Sequence, residues 1–588
     1  MKNQLNIYRI GASVLKKLLP LMKKYIVLAI LSPIFMILEV LGDVVIPYLM
    51  SKIVDIGIVN QDIDYIVKIG IIMIFAALFA MIFGVSSSFF GASAGYGFAA
   101  EIRQKVFEKV QSFSFANLDS FTVSSLITRL TNDCNTIGQV TMMSLRMAIR
   151  APFMLIFALI MAFRVNASLA RVFLISLPVL AIAITFALSK ARPLFLKLQT
   201  HVDKVNGVIQ ENLTNIRIVK SFNREDFEEA KFQEKNDNLM NTAFKAISYI
   251  IFLMPVFNLV VYSTIIAVLW FGGKQITIGS MTGGALISFV TYITQVLMSL
   301  MMISMYFMNL LRGSASVSRI LEVVNTDSEI REVHKPVNEM KDGTISFEDV
   351  GFVYPGSSEP TLKGISFTIN SGETLGIIGS TGSSKSTLVQ LIPRLYDVSE
   401  GSVKVGGVDV KDYDIELLRD KVAFVLQKNT LFSGTIRSNM KWGNEEATDK
   451  EMEESLKHAQ AWEFVSTYED GLDHIVEQNG DNYSGGQKQR LSIARALMKS
   501  PKAIILDDST SAVDMTTDAK ILKAFKQDLP DVTTIIIAQR ISSIQHADRI
   551  IVMHEGNIES MGSHNELMQN SPIYKEIYES QQKGVIGE

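Results

Sequence analysis

The hydrophobic pattern divides the chain at about residue 310. Before that point, mostly uncharged runs of about 20 residues recur, each long enough to cross a bilayer as a helix. They fall at 25–50, 69–91, 140–163, 172–188, 246–273 and 285–310 and predict six membrane spans. Arg146 and Arg150 interrupt the third and leave a clean apolar core only from Ala151 to Phe163. After residue 310 the chain reads as a soluble α/β domain, with short apolar strands and amphipathic helical stretches. The organisation expected is a membrane region at 1–325, a linker at 326–342 and a soluble domain at 343–588.

Charge orients the spans. The stretches between spans two and three and between spans four and five are long and basic. The first holds Arg103, Lys105, Lys109 and Arg129; the second holds Lys190, Arg192, Lys197, Lys204, Arg217 and Lys220. Such loops stay on the cytoplasmic side. The short stretch between spans one and two sets Asp55, Asp62 and Asp64 against Lys52 and belongs outside. Both termini and the soluble domain are then cytoplasmic, and the expected location is a bacterial plasma membrane. The opening segment 6–24, with Lys16, Lys17, Lys23 and Lys24 among leucines, predicts an interfacial helix on the inner leaflet. It lacks the small-residue cleavage site of a signal peptide. Both basic stretches keep helical periodicity, so the membrane helices are expected to continue into the cytoplasm as stalks. About 20 extra residues would reach about 30 Å.

Composition narrows the classes. Among 588 residues, 56 Lys and Arg face 59 Asp and Glu, a net charge of −3, which gives no support to a nucleic-acid binder. Hydrophobic residues at 48% and charged residues at 20% agree with a chain partly in a membrane. The single cysteine, Cys134, excludes an intramolecular disulfide and a multi-cysteine metal cluster.

The candidate chemistry lies in the soluble half. The apolar run from Thr374 enters Gly379-Ser380-Thr381-Gly382-Ser383-Ser384-Lys385-Ser386-Thr387, and a helical pattern follows. Strand, glycine-rich loop and helix are the context of a P-loop, whose backbone N–H groups cradle phosphates. The Lys385 ammonium reaches the terminal phosphates and the Ser386 hydroxyl ligates magnesium. The pattern asks for glycine where Ser384 stands, and a Cβ there crowds the closest approach of backbone to phosphate. Further on, Ala503-Ile-Ile-Leu-Asp507-Asp508 is a buried strand ending in two carboxylates. Asp507 fits a magnesium-holding role. Asp508 stands where a general base would orient the attacking water, and it is one methylene shorter than glutamate, about 1.5 Å less reach.

Between these motifs stands Tyr483-Ser484-Gly485-Gly486-Gln487, ahead of the helical Leu491-Ser-Ile-Ala-Arg-Ala-Leu. With the P-loop, Gln427 after Ala423-Phe-Val-Leu, Ser511-Ala-Val-Asp514 and Tyr354 before Pro355, it resembles the ATP-binding cassette family, specifically its half-size exporters. The segment from Glu211 to Glu225 is similar to their second cytoplasmic loop, so the resemblance covers nearly the whole chain. It implies a type I exporter fold: six transmembrane helices followed by an α/β P-loop domain. Two cassettes would pair head to tail, each ATP lying between one P-loop and the other's signature. Tyr354 would then stack on adenine, while Lys385, Ser383 and Thr387 would hold phosphates. Ser386 and Gln427 would ligate Mg2+ beside Asp507. Ser484 and Gly486 would touch the partner's γ-phosphate, and Asp514 would couple the two sites. Residues 113–120 and 217–224 would be where the two cytoplasmic loops meet cassettes, the second on the partner's.

Three positions depart from that family's pattern. The switch histidine falls on Gln539, whose amide donates but never titrates. Asp508, Gln539 and Ser384 all belong to the hydrolytic half-site, while the signature is intact. The resemblance therefore points to the degenerate subunit of a heterodimer, whose partner supplies the glycine, glutamate and histidine lacking here. Ser384 is read either as natural or as an engineered change.

The cargo is read from the membrane half. Glu39 and Asp43 share one face of the first span, where carboxylates are costly unless they line a wet cavity. They would attract cations, or else pair with Arg146 or Arg150. Met298, Met301, Met302, Met305 and Met308 form a stripe on the sixth span, suited to a promiscuous pocket or to ordinary packing. Amphipathic small molecules, cationic ones among them, are the expected substrates of ATP-driven export. The alternatives are a homodimeric lipid or peptide exporter or flippase, and an ATP-gated channel on the same fold.

Overall fold

The structure is a computed structural model that describes residues 18–330, 333–508 and 513–586. The segment 6–17 of the expected interfacial helix, with Lys16 and Lys17, lies outside the described residues. Lys23 and Lys24 close a short 3-10 turn at Leu19–Tyr25. The chain forms two compact units, one of residues up to Gln111 and from Val123 to Thr326, the other of Ser112–Thr122 and Asp327 onward.

The first unit is helical. Its long helices are α1 (Ile26–Lys52), α2 (Ile63–Gln111), α4 (Cys134–Val165), α5 (Phe173–Thr214), α7 (Glu225–Thr277) and α8 (Gly283–Asn325). Each contains or continues one of six stretches long and apolar enough to span a membrane. At 1.5 Å per residue the 49 residues of α2 extend about 70 Å, more than twice a hydrocarbon core of about 30 Å. The expected stalks are therefore continuous with the spans. The helices pack in pairs, α1 with α2, α5 with α7 and α4 with α8.

Small residues bring α1 and α2 together. A Cβ on Gly42 would lie 2.9 Å from that of Ala80. Beside it, the hydroxyls of Ser32 and Ser87 each donate to the other's backbone carbonyl at 2.9 Å. Without a hydrophobic drive between helices in lipid, such close packing and interhelical bonds hold the pair. The short α6 (Ile216–Ser221), between α5 and α7 in the long basic stretch, buries none of its residues in this chain. Phe222 beside it is 73% exposed.

The second unit carries two larger sheets and a small two-stranded one that pairs Gly434–Thr435 with Ile475–Val476. β1 (Ile345–Phe352), β2 (Leu362–Ile369), β4 (Glu400–Val405) and β5 (Val408–Asp409) form an antiparallel sheet in the order β2-β1-β4-β5. The larger sheet has the order β10-β9-β3-β8-β7-β6. It comprises β3 (Thr374–Gly379), β6 (Val422–Val425), β7 (Ala503–Asp507), β8 (Thr533–Ile537), β9 (Arg549–His554) and β10 (Asn557–Gly562). All neighbours are parallel except β9 and β10. Every residue of β7 and β8 is buried, which is why both read as unbroken apolar runs.

The segment Ser112–Thr122 belongs to this unit through α3 (Phe115–Ser120). Ala116 sits in the core beside β1 and β2, and the Tyr396 hydroxyl donates to Asp119 at 2.7 Å. The stretch after Asp327 also packs here: Val337 N–H donates to the Asp412 carbonyl at 2.8 Å, and Met340 is buried.

Candidate nucleotide site

In a parallel sheet the carboxyl ends of the strands share one edge, and ligands bind there. The register sets Gly379 beside Met553 and Asp507 beside Ile537. The residues after β3, β7, β8 and β6 therefore gather at that edge: the glycine-rich loop, Asp508, Gln539 and Gln427.

The loop from Gly379 runs into α9 (Lys385–Gln390). A Cβ on Gly379 would lie 2.2 Å from the Met553 carbonyl oxygen, so only glycine fits. Ser380, Thr381 and Gly382 form the exposed tip, and Gly382 has φ +84°. Ser384 has φ +71° and ψ +23°, left-handed geometry that costs a residue with a Cβ about 1–2 kcal/mol. This backbone explains the glycine that the P-loop pattern asks for.

Lys385 Nζ donates to the carbonyls of Gly379 at 3.0 Å and Ser380 at 2.8 Å and to Ser383 Oγ at 3.3 Å. Burial pulls its pKa down, against the opposing pull of Asp508 and Asp507. Tyr354 donates to or accepts from Thr387 Oγ1 at 3.0 Å and packs edge-on against Phe352 and Tyr396. Its ring is thus beside the start of α9, and burial raises its phenol pKa.

The Ser386 hydroxyl donates to Asp507 Oδ1 at 2.9 Å. Burial raises the Asp507 pKa, as does Asp508, while Ser386 and Lys385 pull it down. A hydroxyl and a carboxylate side by side, with the Gln427 amide bonded to the adjacent Asp508, fit magnesium. That ion takes hard oxygen donors and keeps its other positions for water and phosphate. The neighbouring Asp508 has φ +49° and is buried, and its Oδ2 accepts from Gln539 Nε2 at 2.5 Å and from Gln427 Nε2 at 3.2 Å. The two positions that depart from the family pattern at the strand ends are therefore bonded to each other.

The signature forms a helix N-terminus. Ser484 caps α10 (Gly485–Leu497): its Oγ accepts from Gln487 N–H at 3.3 Å, and the Gln487 side chain accepts from Ser484 N–H at 2.9 Å. Ser484 and Gly485 are exposed, with Gly486 in the same first turn. The positive end of the helix and its free N–H groups suit an anion. Asp514 caps α11 (Met515–Asp528), accepting from Thr516 N–H at 3.1 Å and Thr517 N–H at 2.9 Å. The bonds at Thr517 hold its carboxyl below the usual range. Ser511 and Ala512 lie outside the described residues.

Three contacts were not readable from motifs. Gln581 of the final helix, α12 (Pro572–Ile586), donates to the Gln539 carbonyl at 2.8 Å and accepts from Ile541 N–H at 2.9 Å. The Ser543 hydroxyl donates to Asp518 of α11 at 2.6 Å. The switch segment is thus held by two helices. Tyr396 joins Tyr354 to Asp119 of α3. No sequence spacing marks any of these pairs, because each joins distant positions.

The cavity residues expected in the membrane unit separate. Arg150 donates to Glu39 Oε1 and, at 2.9 Å, to Asp43 Oδ2. Of the two readings of these carboxylates, the pairing with Arg150 is the one the structure forms. The same pair explains how the third span holds an arginine. On α8, Met301 is buried in the helical core, whereas Met298 and Met305 are half exposed and Met302 partly so. The Met308 side chain lies outside the described residues.

Residues 29–300 match the ABC transporter transmembrane region, and residues 362–511 match the ABC transporter family. The uncharacterized ABC transporter ATP-binding protein YfiB of Bacillus subtilis is 38% identical over 96% of this chain and 98% of its own. The probable multidrug resistance ABC transporter ATP-binding/permease protein YheI of the same organism is 33% identical over 78% of each. The fold matches the structure of a bacterial Atm1-family ABC exporter with ATP bound at TM-score 0.80 and 24% identity, covering 95% of this chain and 99% of that one. The P-loop, paired carboxylates and signature thus sit in a chain that belongs to the ABC transporter family, with a multi-pass type I exporter fold and an ATP-binding cassette in one polypeptide.

Proposed function

We propose that the chain is one half of a heterodimeric exporter that moves amphipathic small molecules out across the bacterial plasma membrane. Its own nucleotide site binds ATP and hydrolyses it slowly, and its signature completes the partner's working site. The observation that carries this reading is the closed cluster Asp508–Gln539–Gln427. A general base must turn an oxygen to the attacking water. Here the shorter carboxylate gives one oxygen to two amide donors, and the switch residue has no titrating group. Ser384 in left-handed backbone adds strain to the same half-site, while the capping box of the signature is complete.

Within this reading, Ser386 and Asp507, with Gln427, hold Mg2+, which supplies charge neutralisation on the phosphates. Lys385 holds the terminal phosphates, Thr387 the nearer ones, and Tyr354 the adenine. Both termini are cytoplasmic, as the basic loops require. The exposed α6 and Phe222 engage the partner's cassette, and α3 engages this one. The name of the relative YheI, a probable multidrug resistance transporter, supports the choice of cargo class. Steady-state ATP hydrolysis by the purified chain, alone and with its partner, tests the reading. Hydrolysis is expected from the pair and not from the chain alone; brisk turnover by the chain alone overturns it.

A further inference from the structure

The membrane unit holds a charged cavity between α1, α2 and α4, of about 460 Å³, within the range of small-ligand sites. Two carboxylates, Glu39 and Asp43, and two guanidiniums, Arg146 and Arg150, line it together with Gly84 and Ser88. The charges are not evenly paired. Arg150 serves both carboxylates, whereas Arg146 makes no ion pair among the described residues, and its Nε is buried without a hydrogen-bond partner. Glu39, 9% exposed, keeps its Oε2 buried and equally without a partner.

The backbone of α2 is shaped around these side chains. A Cβ on Gly84 would lie 2.9 Å from the Glu39 carboxyl carbon. One on Gly91, two helical turns on, would lie 3.3 Å from Cγ and Cδ of Arg146. Glycines seven residues apart share a helix face, so that face is notched twice, at Gly84 against Glu39 and at Gly91 against Ser32 and Arg146. Isolated charge inside a bilayer is expensive and marks a functional position. The guanidinium is the group with unused donors, and five donors in a planar fork match a carboxylate or phosphate. The remaining wall, with Met81 and Val85, is apolar.

We infer that this cavity binds the anionic headgroup of an amphiphile, carboxylate or phosphate, at Arg146, with the apolar tail along α2. The inference rests on the export reading only in making that amphiphile a cargo; the bilayer's own anionic lipid has the same chemistry. A cation is less favoured here, because Arg150 already contacts both carboxylates and leaves only Glu39 Oε2 without a partner.

The test uses the assembled transporter in phosphatidylcholine nanodiscs, titrated with a dansyl-labelled fatty acid and with its uncharged methyl ester. The acid is expected to bind at least about tenfold more tightly than the ester. Arg146→Gln should remove that preference and Arg146→Lys should keep most of it. Equal binding of acid and ester, or an unchanged preference in Arg146→Gln, overturns the inference. So does an Arg146→Gln variant that weakens subunit association alone, since a partner carboxylate would then be the occupant.

Should Arg146→Gln not fold, Ser88→Cys reports on the cavity of the otherwise native chain, whose Cys134 is fully buried. The acid should slow its reaction with a thiol reagent and the ester should not; equal protection overturns the inference. In discs containing phosphatidylglycerol, retention of that lipid by the native protein and its loss from Arg146→Gln identifies a lipid headgroup and supports the site. Binding of the acid with no effect on ATP hydrolysis or transport supports the site too, and counts against the export reading alone.

Discussion

The two ends of the cassette's nucleotide chemistry are built to different standards. At the signature, Ser484 and Gln487 satisfy one another and leave the first turn of α10 open to an anion. At the sheet edge, Ser384 holds a left-handed backbone, and Asp508 accepts from both Gln427 and Gln539. One end presents open donors; the other has turned Asp508, Gln427 and Gln539 toward each other. The proposed heterodimer rests on this asymmetry: departures confined to one half of a composite site suit a pairing of two dissimilar subunits, because a homodimer would repeat them at both sites.

The largest expected effect comes from Lys385, the residue proposed to hold the terminal phosphates. Lys385→Ala should lower the affinity of this chain for ATP by about 100-fold, the size of two charge-assisted contacts, as read by nucleotide titration. Ser484→Ala removes a cap worth about 1 kcal/mol together with the hydroxyl offered to the partner's nucleotide. Hydrolysis by the pair should fall about tenfold, while ATP affinity at this chain's own P-loop stays unchanged. Equal damage to both quantities would break the comparison, since the two ends would then not act separately.

Ser384→Gly relieves a left-handed residue and should raise ATP affinity about fivefold, or about 1 kcal/mol. Lower affinity in that variant would mean that the Ser384 hydroxyl binds nucleotide. The smallest effect is expected at Gln581→Leu, which removes two hydrogen bonds of about 1 kcal/mol each from the switch segment. Hydrogen exchange at the Ile541 amide should quicken several-fold with ATP affinity preserved. Unchanged exchange would show that α12 does not restrain the switch.

Local chemistry made much of this legible. Each of the six spans was visible as an apolar run because lipid forbids an unpaired backbone and imposes a minimum length. The P-loop and signature were visible because close backbone approach and helix capping demand particular residues at fixed spacing, as Gly379 and Ser484 illustrate. Pairings across long separations were not. The third span looked doubtful because Arg150 is read alone in sequence, and its partners Glu39 and Asp43 are 111 and 107 residues away. Nor does any spacing rule connect Gln581 to Gln539 or Tyr396 to Asp119. The sequence did show that Asp508 and Gln539 both depart from the family pattern, but their direct bond emerges only from the parallel register of β7 and β8.

The claim that this cluster is what slows the chain's own site is tested most directly by the Asp508→Glu, Gln539→His double variant, assayed with the partner while the partner's own catalytic glutamate is replaced by glutamine. Hydrolysis then reports this chain's site. A positioned general base contributes about 100-fold or more, so the double variant should hydrolyse at least about tenfold faster than the native chain. An unchanged rate would contradict the account and place the defect elsewhere in the half-site.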